Sequence, residues 1–169
     1  DDDIDLGSLA STGSVTLTTS GTTGNASVVN ASALDLAASS VGGNLIATAT
    51  TGNVTDTGIV TVGGTTNITT TNADDDIDLG SLASTGPVTL TTSGTTGNAT
   101  VVNASALDLA ASTVGGTLSV TATTGGITDS GNVSVVGNVT LNDVAQAGIT
   151  LDTLQADANV ILTSAGNTA

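Results

Sequence analysis

Short runs in which apolar and small polar residues alternate follow one another along the chain: Ile4-Asp5-Leu6, Val15-Thr16-Leu17, Ala26 to Val29, Leu34-Asp35-Leu36, Leu45 to Ala49 and Val60-Thr61-Val62. A period of two in Val, Ile, Leu and Thr turns one face of each run inward, which makes these runs β-strands. No stretch sustains a helical period. Between the runs stand Thr12-Gly13, Ser20-Gly21, Thr23-Gly24-Asn25, Gly42-Gly43, Thr51-Gly52-Asn53 and Gly63-Gly64, residues that accept tight bends or positive φ. Strands this short and this evenly punctuated predict a sandwich, a propeller or a solenoid.

Self-similarity chooses among the three. Asp74 to Leu90, DDDIDLGSLASTGPVTL, restates Asp1 to Leu17, DDDIDLGSLASTGSVTL, at an offset of 74 − 1 = 73. Over the first 43 positions the copies differ only at Ser14/Pro87, Ser27/Thr100 and Ser40/Thr113. A faithful period of this length marks a duplicated structural unit. Gly148 to Leu154, followed by Val160-Ile161-Leu162, repeats the spacing of Asp76 to Leu82 at 149 − 77 = 72 and is a third, diverged copy. The organisation is one continuous solenoid, with repeat 1 over 1–73, repeat 2 over 74–146 and the start of repeat 3 over 147–169, excerpted from a longer chain. Strand openings at Val15, Leu45, Ile68, Val88, Leu118, Val139 and Val160 divide each repeat into about three coils of unequal length. The predicted fold is therefore all-β, a right-handed parallel β-helix of about seven coils, on the order of 30 to 35 Å long.

Composition narrows the function by exclusion. All 15 acidic residues are Asp, the formal charge is −15, and Glu, Lys, Arg, His, Cys, Met and aromatic residues are absent. Nucleic-acid binding needs cations to displace counter-ions and rings to stack on bases, so it is excluded. Thiolate and imidazole metal ligands, disulfides and a His base are missing as well. No apolar run approaches the roughly 20 residues that span a bilayer. Paired carboxylates can hydrolyse glycosides, but such a site also needs a cleft and a cation or aromatic platform for the sugar, so no enzyme is expected. A core without large side chains is still feasible if it is narrow, as in thin stacked coils.

The patterns xVTLTTxG and GxLxVTATTG, with the strands IDLGSL and ITLDTL, resemble the β-helical shafts of filamentous-haemagglutinin-like exoproteins, the large adhesins exported by two-partner secretion in Gram-negative bacteria. The likeness covers essentially the whole chain. It implies the structural shaft of a secreted, cell-surface or extracellular bacterial fibre, serving adhesion or the assembly of filaments or matrix. Its partners would be adjacent repeats of the same chain, other copies of itself in a filament, and a host or neighbouring cell surface reached through other regions. The alternative is a solenoid face that binds Ca²⁺, glycan or ice.

Three sets of residues are candidate sites. Asp1, Asp3 and Asp5, and their copies Asp74, Asp76 and Asp78, alternate onto one face and carry the hard oxygens that suit Ca²⁺, the one cofactor considered. They lack the Gly and distal Glu of an EF-hand loop, and a solvated acidic edge that discourages lateral pairing is the favoured reading. Asn-x-Ser/Thr sequons at Asn25, Asn30, Asn53, Asn67, Asn98, Asn103, Asn132 and Asn138 are candidate glycosylation sites, although a Ser- and Thr-rich duplicated chain generates most of them by chance. Thr-x-Thr pairs such as Thr48/Thr50, Thr69/Thr71 and Thr89/Thr91 suggest an ice-binding rank, but they do not recur at one constant interval.

Overall fold

A computed structural model of the chain describes residues 1–164. The last five residues of the diverged third repeat, 165–169, lie outside the described residues. The chain winds as a β-solenoid of about 8 turns with about 21 residues in each, and no helix is formed among the described residues. Two parallel sheets, of 11 and 9 strands among the described residues, run along it. Each turn contributes to both sheets and bends through a corner on either side.

The first sheet contains Ile4–Leu9, Ala26–Asn30, Leu45–Ala49, Thr66–Ala73 and Val88–Ser93, then split pairs such as Leu107–Leu109 with Ser112–Val114. The second sheet begins with split pairs such as Leu34–Leu36 with Ser39–Val41. It continues through Ile77–Ser84, Ala99–Asn103, Leu118–Ala122, Val139–Asp143 and Val160–Ser164.

The pairing register shows how the duplication fits the turn. In the first sheet Ile4 pairs with Ala26, Ala26 with Leu45, Leu45 with Thr66 and Thr66 with Val88. Their copies in the second repeat, Ile77, Ala99, Leu118 and Val139, pair in the same order in the second sheet. At about 21 residues per turn, the repeated unit spans three and a half turns, so each copy starts on the side opposite its predecessor.

This sharpens the expectation of about three coils per repeat. Of the strand openings read from the sequence, Leu45, Ile68 and Val88 belong to the first sheet, whereas Leu118, Val139 and Val160 belong to the second. Val15 joins the second sheet through its parallel bridge to Leu36. The two long steps, Val15 to Leu45 and Val88 to Leu118, each cross from one sheet to the other and span one and a half turns. That is why the coils look unequal in the sequence and number seven there rather than eight.

Alternate residues of both sheets point into a core one side chain deep from either side. One inward column runs Leu6, Val28, Ala47, Ile68, Leu90 and its copy runs Leu79, Val101, Val120, Leu141. From Val28 onward in the first column, and throughout the second, these residues are buried. Large and small side chains follow one another along each column, which lets the two sheets interdigitate without aromatic residues. Thr66 and Ser84 are also buried, and their hydroxyls meet at 2.9 Å, each satisfying the other inside the core.

One corner column is glycine because a backbone lies where a side chain would go. Gly43 N donates to Gly24 O and Gly64 N to Gly43 O, both at 2.8 Å; in the second repeat Gly116 N donates to Gly97 O at 2.7 Å. A Cβ on Gly116 would stand 2.5 Å from the Thr96 carbonyl oxygen, so the turns must move apart to admit it. Gly116→Ala is therefore expected to lower stability by about 1 to 3 kcal/mol. Gly13→Ala, where a Cβ meets nothing within 4 Å, is expected to change it by less than about 0.5 kcal/mol. Urea unfolding midpoints of the two variants check the contrast, and equal midpoints would refute the backbone-contact account.

Candidate functional site

The acidic run is the most charged and best repeated segment, and the structure gives its carboxylates separate tasks. Strand pairing begins only at Ile77, so Asp74, Asp75 and Asp76 form the corner before it. Asp74 has φ 67, a left-handed conformation that Asp tolerates better than most residues. Its Oδ1 accepts from Thr95 N at 3.1 Å and Thr96 N at 3.0 Å in the next turn. Asp75 reaches the other way, its Oδ2 accepting from Gly52 N at 2.6 Å and Asn72 Nδ2 at 3.0 Å. Asp76 Oδ1 accepts from Asn98 N at 2.7 Å, and Asp78 is exposed.

The expected alternation of Asp74, Asp76 and Asp78 onto one face is thus corrected: two of the three belong to the corner. Their oxygens point at backbone donors of the turn above rather than at a common centre. In the first copy Asp3 repeats the role of Asp76, taking Asn25 N at 2.7 Å, while Asp1 and Asp5 are exposed. Among the described residues no group of three carboxylates is placed to hold a metal ion.

Asp76 and Asp3 are rungs of side-chain ladders that close the corner ahead of each sheet. In the second sheet Asn53 Oδ1 accepts from Asp76 N at 2.9 Å, Asn98 Oδ1 from Thr117 N at 2.9 Å, and Asn138 Oδ1 from Asn159 N at 3.1 Å. In the first sheet Asp3 is followed by Asn25, whose Oδ1 accepts from Asn44 N at 2.9 Å, and by Asn44, whose Oδ1 accepts from Thr65 N at 2.8 Å. Each rung satisfies an N–H that the corner would otherwise leave without a partner.

The ladders re-sort the eight sequons. Asn25, Asn53, Asn98 and Asn138 are corner rungs. Asn30 and Asn103 are fully buried, and their amide nitrogens are committed to carbonyl oxygens: Asn30 Nδ2 to Ser11 O at 2.9 Å, and Asn103 Nδ2 to Ser84 O at 3.0 Å and Ala106 O at 2.9 Å. A glycan on either is incompatible with the folded turn. Asn132 is exposed, and Asn67 faces outward from the first sheet. Also outward on that sheet, Thr48, Thr69, Thr91 and Thr113 pair in succession as a single column, which the sequence hides because the turns differ in length. The neighbouring column reads Ser27, Ile46, Asn67, Thr89 and breaks the rank.

Two clasps escaped sequence reading. Asp56 accepts from Gly80 N and Ser81 N, both at 2.9 Å, and its copy Asp129 accepts from Asp152 N at 2.7 Å and Thr153 N at 2.8 Å. The signal was available, because an isolated Asp recurs at the offset of the repeat, 129 − 56 = 73. The two carboxyls nevertheless titrate in opposite directions. Burial pushes Asp56 above the ordinary 3.8, and the charges of Asp78 and Asp35 add to it, outweighing the donors Ser81 and Gly80. At Asp129 burial also acts upward, but the N–H groups of Asp152 and Thr153 and the Thr153 hydroxyl outweigh it and hold the carboxyl below 3.8. Bonds from the Thr96 hydroxyl, Thr96 N and Thr95 N likewise hold Asp74 low.

Two outcomes are expected. Asn103→Ala leaves Ser84 N without an acceptor inside the fold, while Ser84 O keeps the Ser105 hydroxyl as donor at 2.7 Å, and costs roughly 1 to 3 kcal/mol, whereas Asn132→Ala is neutral; urea unfolding measures both. For pH, carboxyls held low stabilise the folded chain above their unfolded value and lose that contribution as pH falls through the folded one. Asp74→Asn with Asp129→Asn should therefore flatten the fall in stability below pH 3.8. Asp56 has the opposite sign, so wild type gains from it as acid approaches 3.8 from neutrality, and Asp56→Asn should remove that gain. Unfolding midpoints between about pH 7 and 2.5 test both signs.

Comparison with curated proteins and with solved structures gives no match. No helix among the described residues is long and apolar enough to cross a membrane. The family described as repeats of unknown function (DUF5649) matches residues 23–91 and again 96–163, two segments whose starts differ by 96 − 23 = 73. Most of the length is covered and the family's unit recurs at the chain's own period, so the chain belongs to the DUF5649 repeats.

Proposed function

We propose that the chain is part of a mechanical shaft: a rigid, non-catalytic stretch of a secreted or cell-surface bacterial fibre that spaces a binding region from its anchor or packs into an extracellular filament. The observation that carries this reading is the unbroken stack itself. About 8 turns follow one another in continuous parallel pairing, and a unit whose first 43 positions are copied with only three changes adds three and a half turns of the same section. Selection for a pocket keeps one loop distinct, whereas selection for length tolerates copying.

Chemistry supports it. The carboxylates of Asp3, Asp74, Asp75 and Asp76 are spent on tying one turn to the next, and the outer faces display mainly Thr, Ser and Asn. Resemblance to the shafts of filamentous-haemagglutinin-like exoproteins supports the extracellular setting, with adhesion exerted elsewhere on the fibre. The absence of Lys, Arg, Cys and Met leaves no trypsin site and no readily oxidised sulfur, which suits prolonged exposure outside a cell.

Negative-stain microscopy of the native, full-length material tests the proposal, with antibody labelling of intact cells. Slender unbranched rods on labelled cells, or bundled filaments around them, are expected. Compact particles, or label seen only after the cells are opened, would overturn it.

A further inference from the structure

The pairing of Ile77–Ser84 slips by one residue along its length. Leu79 pairs with Val101, but the next pair is Leu82 with Asn103, so Gly80 and Ser81 together oppose Val102 in a β-bulge. A bulge takes backbone groups out of the ladder. These two N–H groups find their acceptor in a side chain of the preceding turn, Gly80 N donating to Asp56 Oδ1 and Ser81 N to Asp56 Oδ2, both at 2.9 Å. The device recurs one unit later, with Asp152 N on Asp129 Oδ1 and Thr153 N on Asp129 Oδ2.

Both oxygens of each carboxylate are thus occupied. A proton can settle only on an oxygen that already accepts an N–H, so its uptake deprives the bulge of a charged acceptor. The two clasps differ in how readily this happens. Thr55, beside Asp56, pairs with Asp35 on one side and Asp78 on the other, so Asp56 stands near two carboxylates. The other strands packed on Val54–Asp56, Leu45–Ala49 and Thr66–Ala73, carry no titratable side chain. In the second repeat Thr128 pairs with Asp108 and with Thr150, which removes one of the two charges. There the Thr153 hydroxyl also adds a third donor to Asp129, at 3.1 Å.

We infer that Asp56 is a proton-operated clasp: in acid it takes up a proton and frees the Gly80-Ser81 bulge to move, while the Asp129 clasp stays closed. Burial, with the charges of Asp78 and Asp35, holds Asp56 above the ordinary carboxylate range, and the donors hold Asp129 below it, which separates the two events in pH. Space for the movement exists. Gly80 and Ser81 are exposed, and with Ile59, Ala83 and Val102 they line an open groove of about 250 Å³ on the outer face, so the bulge can shift without disturbing the packed core. Removing a half-buried charge from beside two others outweighs the one weakened bond. Acid therefore loosens this segment while the fold as a whole gains stability, the reverse of a general acid unfolding.

Amide NMR of the whole chain between about pH 7 and 2.5 tests the inference. The Gly80 and Ser81 N–H signals are expected to move upfield with a common midpoint, and those of Asp152 and Thr153 with a lower one. Between the two midpoints, hydrogen-exchange protection of Gly80 and Ser81 should be about tenfold below its value at neutral pH, with Asp152, Thr153, Val101 and Asn103 unchanged. Asp56→Asn should abolish the pH response of Gly80 and Ser81. Asp78→Thr, which installs the residue found at Thr150, should lower their midpoint and leave it above that of Asp152 and Thr153. The wild-type midpoints decide the matter if either variant does not fold. Three results would each overturn the inference: a Gly80 and Ser81 midpoint equal to or below that of Asp152 and Thr153, protection unchanged across that midpoint, or loss of protection along the whole of Ile77–Ser84 at once.

Discussion

Everything in this molecule depends on parallel backbone stacking at one strand spacing, about 4.8 Å per turn. Every N–H of a turn must find its acceptor at that distance in the turn beside it, at the corners as well as in the strands. In the strands the ladder does this without help from side chains. At the corners two devices maintain it: glycines where successive backbones come within contact, as at Gly43 and Gly116, and side-chain oxygens of Asn, Asp and Thr that take the next turn's N–H. Since the same spacing recurs at every level, a residue is chosen for what lies one turn away from it, about 21 positions off in sequence.

That spacing explains what could be read from the sequence and what could not. Strand alternation, the stacked fold and the apolar columns follow from period-two patterning and duplication, both of which are local or repeated verbatim. The half-turn phase does not follow, because it requires knowing the turn length to within a residue or two. Ala26–Asn30 and its copy Ala99–Asn103 read almost identically yet lie on opposite sheets. The acidic run misleads for a related reason. Alternation in DDDIDL suggests three carboxylates on one strand face, but strand geometry begins only at Ile77, and the donors that capture Asp74 and Asp76, at Thr96 and Asn98, belong to the following turn. Asn30 and Asn103, which look like surface sequons, are core residues whose bonds go to Ser11 and Ser84 across a turn boundary.

With no cationic side chain in the sequence, the carboxylates have only N–H and O–H groups to stabilise them. Such charge-assisted bonds are short, and those at Asp3, Asp76 and Asp129 reach 2.7 Å. The same charge thereby ties one turn to the next. Where a second carboxylate comes near, as Asp78 and Asp35 do at Asp56, the balance tips against the charged form. Asp129 makes the same clasp with Thr150 in place of Asp78, and there the donors prevail.

The half-turn phase bears on this electrostatic balance. A repeat of whole turns would set every acidic corner on one edge of the shaft, each copy directly above the last. Three and a half turns place Asp1 to Asp3 before the first sheet and Asp74 to Asp76 before the second. Successive acidic corners are then separated along the axis by roughly 17 Å at about 4.8 Å per turn, and by the width of the core as well. That distance exceeds the Debye length of about 8 Å at physiological ionic strength, so copying the unit adds charge without adding strong repulsion between copies. It also gives both sheets nearly the same sequence to display over the first 43 positions of the unit. A chain whose only charged side chains are Asp can therefore lengthen by duplication without setting its acidic corners above one another.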